Sequence, residues 1–552
     1  MRRAYMTFRA TVGAVAIAVA IVVVLAATLP PAEAGTDAEP AQGQTLASLV
    51  RAGQPEAVLA AITSPDVDVN ATEPDGSTVL LWAVHAVDHD LVRALLKAGA
   101  KANIANHFGA SPLTEAVKLG DVGIATLLLD AGADVNSPNQ DNQTALMLAS
   151  SIGSRELAAL LITRGADVNA VERFRDQTAL MWAAAEGHAD VVELLLAHGA
   201  DVKRRAAYDD WSRQETSEPR AQFRQTGGLT ALLYAARVGC YGCAAAIVKA
   251  GADVNQPNPD GITPLIDALD NKSYDIAMFL LDHGANPQTW DMTGRTPLYV
   301  AVDQNSFNPR LGIGPTSVPV AIKPNTVKAM DVVNRLLAMG VNPNHQLTRM
   351  RPNGLGRGRF SEYMLRGGTT PLMVATISYD AEAVKALVTH GVEVDLPNVF
   401  QITPLMAAAS MTGGGRSNIN PVGGSSPPPG DIQEHAIKVI DLLLDAGANI
   451  NARVEDSHTR TARLTAYVEN REHEGQTALF AASESGWNKV AQHLISRGAD
   501  PSLRDAVGKT ALDYAHTPGK AWPGYSRENQ EAYADRAATV KYLETLTSAV
   551  AP

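Results

Sequence analysis

One short pattern recurs along the chain at a nearly fixed spacing, and this recurrence constrains the fold more than any other feature. In residues 178–202, TALMWAAAEGHADVVELLLAHGADV, a Thr opens an Ala-rich run, Gly-His follows, and three leucines precede Gly-Ala-Asp. The copies open at Thr78, Ser111, Thr144, Thr178, Thr230, Thr263, Thr296, Thr370, Thr403, Thr477 and Thr510. Most neighbouring copies begin 33 or 34 residues apart. A period of this length is typical of a solenoid of stacked units.

Each copy predicts two short helices. Thr178 is suited to cap the first helix by accepting a backbone N–H, and a Pro in the next position, such as Pro264, suits the first helical turn. Gly187 ends that helix, and apolar residues at helical spacing then predict a second helix that stops at Gly199. Neither helix buries its apolar face alone, so neighbouring copies must stack on one another.

The repeated stretches TPLMVA (370–375), DGITPL (260–265) and GHADVVELLLAHGADV (187–202) resemble ankyrin repeats. The resemblance extends from about residue 45 to residue 520. It implies an all-α solenoid of about 11–12 helix-turn-helix units, whose inter-unit fingers and first helices line a concave binding face. The family's usual His after Thr-Pro-Leu is replaced here by Leu81, Met147, Met181, Leu233, Ile266, Tyr299, Met373, Met406 and Phe480. We therefore expect packing, and not a Thr–His hydrogen bond, to hold this position.

The chain divides into five predicted regions. Residues 1–34 form an export signal, 35–44 a linker, 45–74 an N-terminal capping repeat, 75–520 the repeat array, and 521–552 a C-terminal capping helix. In the first region, Arg2, Arg3 and Arg9 precede an apolar run at residues 10–29, and the small residues Ala32 and Ala34 follow. This order is typical of a secretory signal cleaved after Ala34.

Export predicts a periplasmic or secreted protein, with a bacterial periplasm as the favoured compartment. The apolar run at 10–29 is also long enough to span a bilayer, so an uncleaved anchor in the inner membrane is the alternative. Contact with a membrane is expected only in that second case.

Insertions interrupt the array near residues 203–226, 305–327, 345–367, 412–434 and 452–474. Three of them follow Gly199, Gly340 and Gly447 and add 18 to 19 residues to the finger between two units. The other two lie between the two helices of one unit. The units that open at Thr296 and Thr403 each have an insertion between their two helices and another in the finger that follows. Duplication of a two-unit block would explain this shared arrangement.

The inserted fingers differ from the remaining chain in charge. Residues 203–226, 345–369 and 452–474 contain 15 Lys and Arg against 10 Asp and Glu, a net +5, whereas the whole chain has a net charge of −12. Arg and aromatic residues together are typical of interface hot spots. The candidate partner-binding residues in these fingers are Arg204, Trp211, Arg349, Arg357, Arg359, Tyr363, Arg460 and Tyr467. The alternative is that these are solvated loops pinned by their aromatic side chains.

The predicted function is a non-catalytic scaffold of the cell envelope that binds another protein through its concave face and inserted fingers. Exposed first-helix positions predicted to join that surface are Glu186, Arg237, Asp270 and Glu484. One alternative is a structural or accessory subunit that stabilises a periplasmic enzyme, and another is a His- or Cys-dependent enzyme. Nucleic acid is excluded as a partner by the acidic balance and the export signal.

The sequence predicts no enzyme, cofactor, metal or small-molecule substrate. His85 and His89 are four residues apart, but the repeat places them on different helices, so they do not form a metal-binding pair. His198, His283 and His390 each precede a helix-ending Gly, where a His side chain can satisfy the last carbonyls of the helix.

Cys240 and Cys243 are the only cysteines in the chain. In a regular helix their Cβ atoms would lie about 5 to 6 Å apart, too far for a disulfide unless the turn deforms. A local disulfide, two free thiols and a redox-active pair therefore all remain open.

Overall fold

The computed structural model describes residues 45–209, 226–306, 325–348, 367–410, 429–455, 474–516 and 528–548. Within these ranges the chain forms twelve successive helix pairs, which we call units 1 to 12. The helices of units 1 to 6 are α1 Leu46–Arg51, α2 Pro55–Ala61, α3 Val79–His85, α4 His89–Lys97, α5 Pro112–Lys118, α6 Val122–Asp130, α7 Ala145–Ile152, α8 Arg155–Thr163, α9 Ala179–Glu186, α10 Ala189–Ala197, α11 Ala231–Val238 and α12 Tyr241–Lys249. Those of units 7 to 12 are α13 Pro264–Asp270, α14 Tyr274–Asp282, α15 Pro297–Asn305, α16 Ala329–Ala338, α17 Pro371–Ile377, α18 Ala381–Val388, α19 Pro404–Ala408, α20 Pro429–Asp445, α21 Ala478–Glu484, α22 Asn488–Ser496, α23 Ala511–His516 and α24 Glu528–Ser548.

The helices stack in two unbroken rows. Each first helix contacts the first helix of the next unit, each second helix contacts the next second helix, and the two helices of every unit contact each other. β-structure within the described ranges is limited to isolated bridges such as Arg205 with Thr230. The predicted all-α solenoid of stacked pairs is therefore confirmed, and the stack continues past all five predicted insertions.

The first helices begin as the repeated Thr predicts. Thr178 has an extended backbone, and its side chain accepts a hydrogen bond from the backbone N–H of Met181. Equivalent caps occur at Thr78, Ser111, Thr144, Thr230, Thr263, Thr296, Thr370 and Thr403. Thr477 differs, because no side-chain cap hydrogen bond forms there.

The core consists mainly of small and branched apolar residues from both rows of helices. The nine residues that replace the usual His are all buried, with exposed fractions between 0% and 6%. Met147, Tyr299 and Phe480 are among the largest fully buried side chains. Packing therefore holds this position, as the sequence predicts.

Asparagine side chains connect the units along the finger side of the stack. Asn136 donates to the carbonyl of Gly165 at 3.0 Å and accepts from the N–H of Asp167 at 2.8 Å. The same two bonds are made to the following unit by Asn70, Asn103, Asn169 and Asn451. We call this series the asparagine ladder. Lys203 occupies its position in the finger between units 5 and 6.

Both ends of the stack carry a helix pair. Units 1 and 12 contain α1 with α2 and α23 with α24, and α24 lies within the residues predicted to form a closing helix. The predicted signal, linker and anchor lie outside the described residues. None of the described helices is both long and apolar enough to cross a bilayer. α20 begins at Pro429, so its first residues belong to the segment predicted as the 412–434 insertion.

Candidate protein-binding surface

The short fingers between units share one hydrogen-bonded turn. In the finger of residues 258–262, the N–H of Asn258 donates to the carbonyl of Ile262 at 2.9 Å. The side-chain oxygen of Asn258 accepts from the N–H groups of Asp260 and Ile262. Turns closed in the same way begin at Glu73, Asn106, Asn139, Glu172, Asp291, Asn398 and Asp505.

The three inserted fingers keep the closing bond of this turn but span many more residues. Ala206 donates to Leu229 at 2.9 Å, Leu347 to Thr369 at 3.0 Å, and Val454 to Gln476 at 2.9 Å. The bonded residues are 23, 22 and 22 positions apart, whereas the short turns close over 4 or 5. The donor residue is Asn, Asp or Glu in the short turns, but it is a buried apolar residue in all three inserted fingers. Each insertion therefore grows from the tip of an otherwise ordinary finger.

Neighbouring fingers are also bonded to each other at their tips. The N–H of Met292 donates to the carbonyl of Asp260 in the preceding finger at 2.8 Å. The first two inserted fingers join the row because Ala207 donates to Arg175 and Thr348 donates to Thr293, and the third is bonded to the finger after it through Ala506 and Glu474. The roots of the insertions consequently lie in line with the short tips, which we call the tip row.

A glycine with positive φ keeps the tips of the row close together. Gly261 has φ 78°, and a Cβ at this residue would lie 3.1 Å from the Cα of Asp291 in the next finger. At the insertion roots, a Cβ on Gly368 would lie 2.8 Å from the N of Val399. Only Gly combines this backbone conformation with so close a neighbour.

Exposed aromatic side chains lie along the tip row. Phe108 is 73% exposed, Phe174 69% and Tyr208 58%, although burial would be favourable for all three. Arg173 and Arg175 flank Phe174, and the carboxylate of Glu172 is already occupied by backbone N–H groups of the same turn. None of the three aromatic residues is among the contact residues predicted from the sequence: Phe108 and Phe174 lie in short tips outside the insertions, and Tyr208 lies within the 203–226 insertion but carries no distinguishing pattern. The available signal was an aromatic residue at the third position of the turn, but Phe400 at the same position of a later turn is buried.

Four predicted contacts lie on first helices, and the structure separates them into two classes. Glu186 and Glu484 are exposed at the ends of α9 and α21, as predicted. Arg237 is half-buried and pairs with Asp267 of the next unit at 3.4 Å. Asp270 is buried, with 9% exposed, so the prediction that it is an exposed contact residue is wrong.

A buried ion network accounts for Asp270. Both of its carboxylate oxygens accept from Arg295 at 2.8 Å, and Arg295 also donates to Asp291 at 2.7 Å. Burial alone would lower the pKa of Arg295, but the two carboxylates raise it above its ordinary value. The partner of Asp270 comes from the next unit, and the pattern within one repeat does not reveal it.

Arg204 is the one predicted finger residue that the structure describes. It is half-buried at the root of the first insertion, and its buried Nε makes no hydrogen bond to the described residues. The other predicted finger contacts lie outside the described residues: Trp211, Arg349, Arg357, Arg359, Tyr363, Arg460 and Tyr467.

The five histidines considered in the sequence analysis make hydrogen bonds within the stack. His85 ends α3 and His89 begins α4, and they bond separately to Glu115 and Asp121 of the next unit at 2.8 and 2.9 Å. His198, His283 and His390 each place Nδ1 within 2.9 Å of a carbonyl in the last turn of their helix, as predicted. Within the described residues, no cluster of three or more His, Cys, Asp or Glu could hold a metal ion.

The two cysteines form a disulfide between Cys240 and Cys243, with Cα atoms 5.2 Å apart. Cys240 is the N-cap of α12 and has an extended backbone with φ −81° and ψ 92°. The geometry that made a disulfide difficult assumed that both residues are helical, and this assumption is wrong for Cys240.

Comparison with known proteins identifies the repeat. The family model described as ankyrin repeats (3 copies) matches residues 46–139, 132–206 and 232–308. The model described as ankyrin repeat matches residues 474–506. Among solved structures, the crystal structure of the human ASB11 ankyrin repeat domain is similar at 23% identity, with a TM-score of 0.36. That similarity covers 44% of this chain and 99% of that chain.

Proposed function

This chain is built from ankyrin repeats, and from that premise we propose that it is a non-catalytic scaffold of the cell envelope that binds a folded protein. Ankyrin repeats generally act as protein-interaction modules. We further propose that the partner docks on the tip row, the inserted fingers and the adjoining first helices. The observation that supports this most directly is that all three insertions grow from finger tips that are hydrogen-bonded to a neighbouring tip.

The spacing of the insertions sets the size of the partner. The first lies between units 5 and 6, the second between units 8 and 9, and the third between units 10 and 11. At about 10 Å per unit, their roots are separated by roughly 30 and 20 Å along the stack. A partner that reaches all three must be the size of a domain, whereas a small metabolite or short peptide reaches only one.

The residues along this row suit protein recognition. Phe108, Phe174 and Tyr208 present large apolar surfaces, and Arg173 and Arg175 are the sequence neighbours of Phe174. Aromatic and Arg side chains supply most binding free energy at protein interfaces. The inserted fingers add Arg357, Arg359 and Tyr363 in sequence, and their net positive charge favours a partner with an acidic surface.

The envelope location rests on the sequence of the first 34 residues. If the signal is cleaved after Ala34, N-terminal sequencing of exported protein begins at Gly35. Recovery of intact Met1 in the membrane fraction would instead favour the anchored form.

The binding proposal is tested by converting each inserted finger into a short one. Residues 206–228, 347–368 and 454–475 are each replaced by Asn-Pro-Asp-Gly, the sequence of the short finger at 258–261. Because the closing bond and the tip Gly are retained, we expect each variant to fold normally. Changing loop length alters closure entropy by only about 0.6 kcal/mol per doubling.

A partner is first captured from the native envelope with the full protein, and its affinity for each variant is then measured. We expect the triple replacement to weaken binding at least about 100-fold, since several hot-spot residues are removed together. The control variant exchanges the short finger at 139–142 for the same four residues. It removes no aromatic or Arg side chain from the tip row and should weaken binding far less than the triple replacement. If the triple variant binds as tightly as the full protein, the inserted fingers are not the interface.

A further inference from the structure

Cys240 and Cys243 occupy positions of opposite character in unit 6. Cys240 caps the second helix α12, and its Sγ lies 3.2 Å from the backbone N of Cys243. In other units the same cap is an oxygen that accepts the same N–H, from Asp88, Asp121, Ser154 and Asp380. Cys243 is fully buried at the core position that Leu91, Ile124, Leu157 and Val191 fill elsewhere. The sulfur of Cys240 therefore lies where other units place a hydrogen-bond acceptor, and the sulfur of Cys243 lies in an apolar site.

Both sites suit the reduced form of the pair. A Cys240 thiolate would accept the Cys243 N–H and would lie at the positive end of a nine-residue helix, as the Asp caps do. A Cys243 thiol in the core behaves as a small apolar side chain. After reduction, each cysteine therefore still suits its position, Cys240 as the cap of α12 and Cys243 as a core residue. A disulfide that serves only as a clamp gains nothing from a cap site of this kind.

We propose that the Cys240–Cys243 pair is a thiol–disulfide exchange site whose substrates are dithiols, such as a reduced Cys pair on another protein. Cys240 is 9% exposed and Cys243 is 0% exposed, so an incoming thiolate attacks Cys240. The Cys240–Cys243 bond breaks as the mixed disulfide forms, and Cys243 leaves as a thiolate that takes up a proton.

The second thiolate of the donor then completes the exchange. It attacks the donor's own sulfur in the mixed disulfide, and Cys240 leaves as a thiolate held by the Cys243 N–H. The donor ends as a disulfide and the chain as a dithiol, so two electrons pass from the donor to the chain. A stabilised thiolate is the better leaving group, which favours release of Cys240 in this step.

The first test measures the redox equilibrium of the oxidised full-length protein in a series of glutathione mixtures. Free thiols are alkylated after acid quenching and counted by mass, which is unambiguous because the chain has two cysteines. We expect reduction while hydrogen exchange in α12 stays protected. Persistence of the disulfide in a large excess of reduced glutathione would overturn the proposal, as would reduction only together with loss of protection in α12.

The second test separates the cap from the disulfide. The double variant Cys240→Asp with Cys243→Ala should match the stability of the reduced protein, whereas Cys240→Ala with Cys243→Ala should unfold at a lower denaturant concentration. For reactivity, Cys240 alone, in Cys243→Ala, is compared with Lys249→Cys, at the opposite end of α12, in a Cys240→Ser and Cys243→Ala background. Iodoacetamide should react several-fold faster with Cys240 at neutral pH. Equal rates, or equal stability of the two double variants, would contradict the proposal.

Discussion

Two carboxylates on α13 show that burial alone does not decide whether a charge stabilises or destabilises the folded protein. Asp270 is matched on both oxygens by Arg295. Asp267 accepts from Arg237 and Asn271 through Oδ1, while its buried Oδ2 makes no hydrogen bond to the described residues. Burial raises the pKa of Asp267 above its usual 3.8, and Arg237 offsets only part of this effect. We therefore expect opposite responses when each carboxylate is neutralised.

Asp267→Asn should stabilise the protein at neutral pH. A carboxyl whose folded pKa is raised contributes its full stability below the unfolded value of 3.8 and loses it as the pH rises through the folded pKa. At pH 7 the buried charge therefore costs stability, and the amide removes that cost. We expect a gain of up to about 1 kcal/mol in the free energy of unfolding. Denaturant titrations across the pH range should show the gain vanish below the unfolded pKa.

Asp270→Asn is the matched change on the same helix and should destabilise the protein. It leaves the buried guanidinium of Arg295 with Asp291 as its remaining described carboxylate partner. Removing one partner of a buried ion pair costs about 3 kcal/mol. Calorimetry and denaturant titration at pH 7 measure the loss. If both substitutions shift stability in the same direction, the difference in hydrogen bonding between Asp267 and Asp270 does not determine their contributions to stability.

The capping pattern of the helices was largely predictable from the sequence. Thr178 and its equivalents cap the first helices because the required acceptor, a short hydroxyl side chain, is encoded locally. The disulfide at Cys240 was left open by the sequence, because the repeat aligns this residue with the turn position of His188 but does not give the backbone angles of that turn. The prediction that Asp270 is exposed was wrong for a different reason, because its partner Arg295 belongs to the next unit.

The asparagine ladder predicts a stabilising substitution between units 5 and 6. Lys203 occupies the position at which Asn169 and Asn451 bond to the following unit, and Asn451 does so across an inserted finger. Lys203→Asn should add the same two bonds, to the carbonyl of Gly251 and the N–H of Asp253. At about 1 kcal/mol per hydrogen bond, we expect a gain of roughly 1 to 2 kcal/mol.

Hydrogen exchange in units 5 and 6 measures this gain locally, and denaturant titration measures it globally. The matched control is Asn169→Ala, which removes two existing bonds of the ladder and should lower stability by a similar amount. If Lys203→Asn leaves exchange in both units unchanged while Asn169→Ala raises it, the first inserted finger holds units 5 and 6 in a different register from the rest of the ladder.

At the scale of the whole molecule, the period of the repeat was enough to predict the stack of helix pairs. Eleven copies, ten opened by Thr and one by Ser111, and a capping pair predict the twelve stacked pairs, since every unit buries its apolar faces on its neighbours. The site was less predictable. Phe108 and Phe174 lie at tips where their backbone N–H groups donate to the side chains of Asn106 and Glu172, and neither Phe belongs to a recognisable motif. These exposed aromatic residues indicate a binding surface only once the structure shows that the finger tips carrying them lie in one row.

A linear stack also predicts that damage to the core stays local. Leu195 is fully buried in α10, and Leu195→Ala should cost about 2 to 5 kcal/mol because it leaves a cavity between units. In the middle of the stack the helices contact those of adjacent units, and among the described helices only α20 of unit 10 and α24 of unit 12 are in substantial contact across an intervening unit. Hydrogen exchange should therefore rise mainly in residues 144–265 and remain unchanged near both ends of the stack. Leu119→Ala, at a residue 42% exposed, is the matched control and should change stability by less than about 0.5 kcal/mol. Uniform loosening from unit 1 to unit 12 after Leu195→Ala would mean that the array unfolds as one cooperative body, with the inserted fingers coupling units that the helices alone do not.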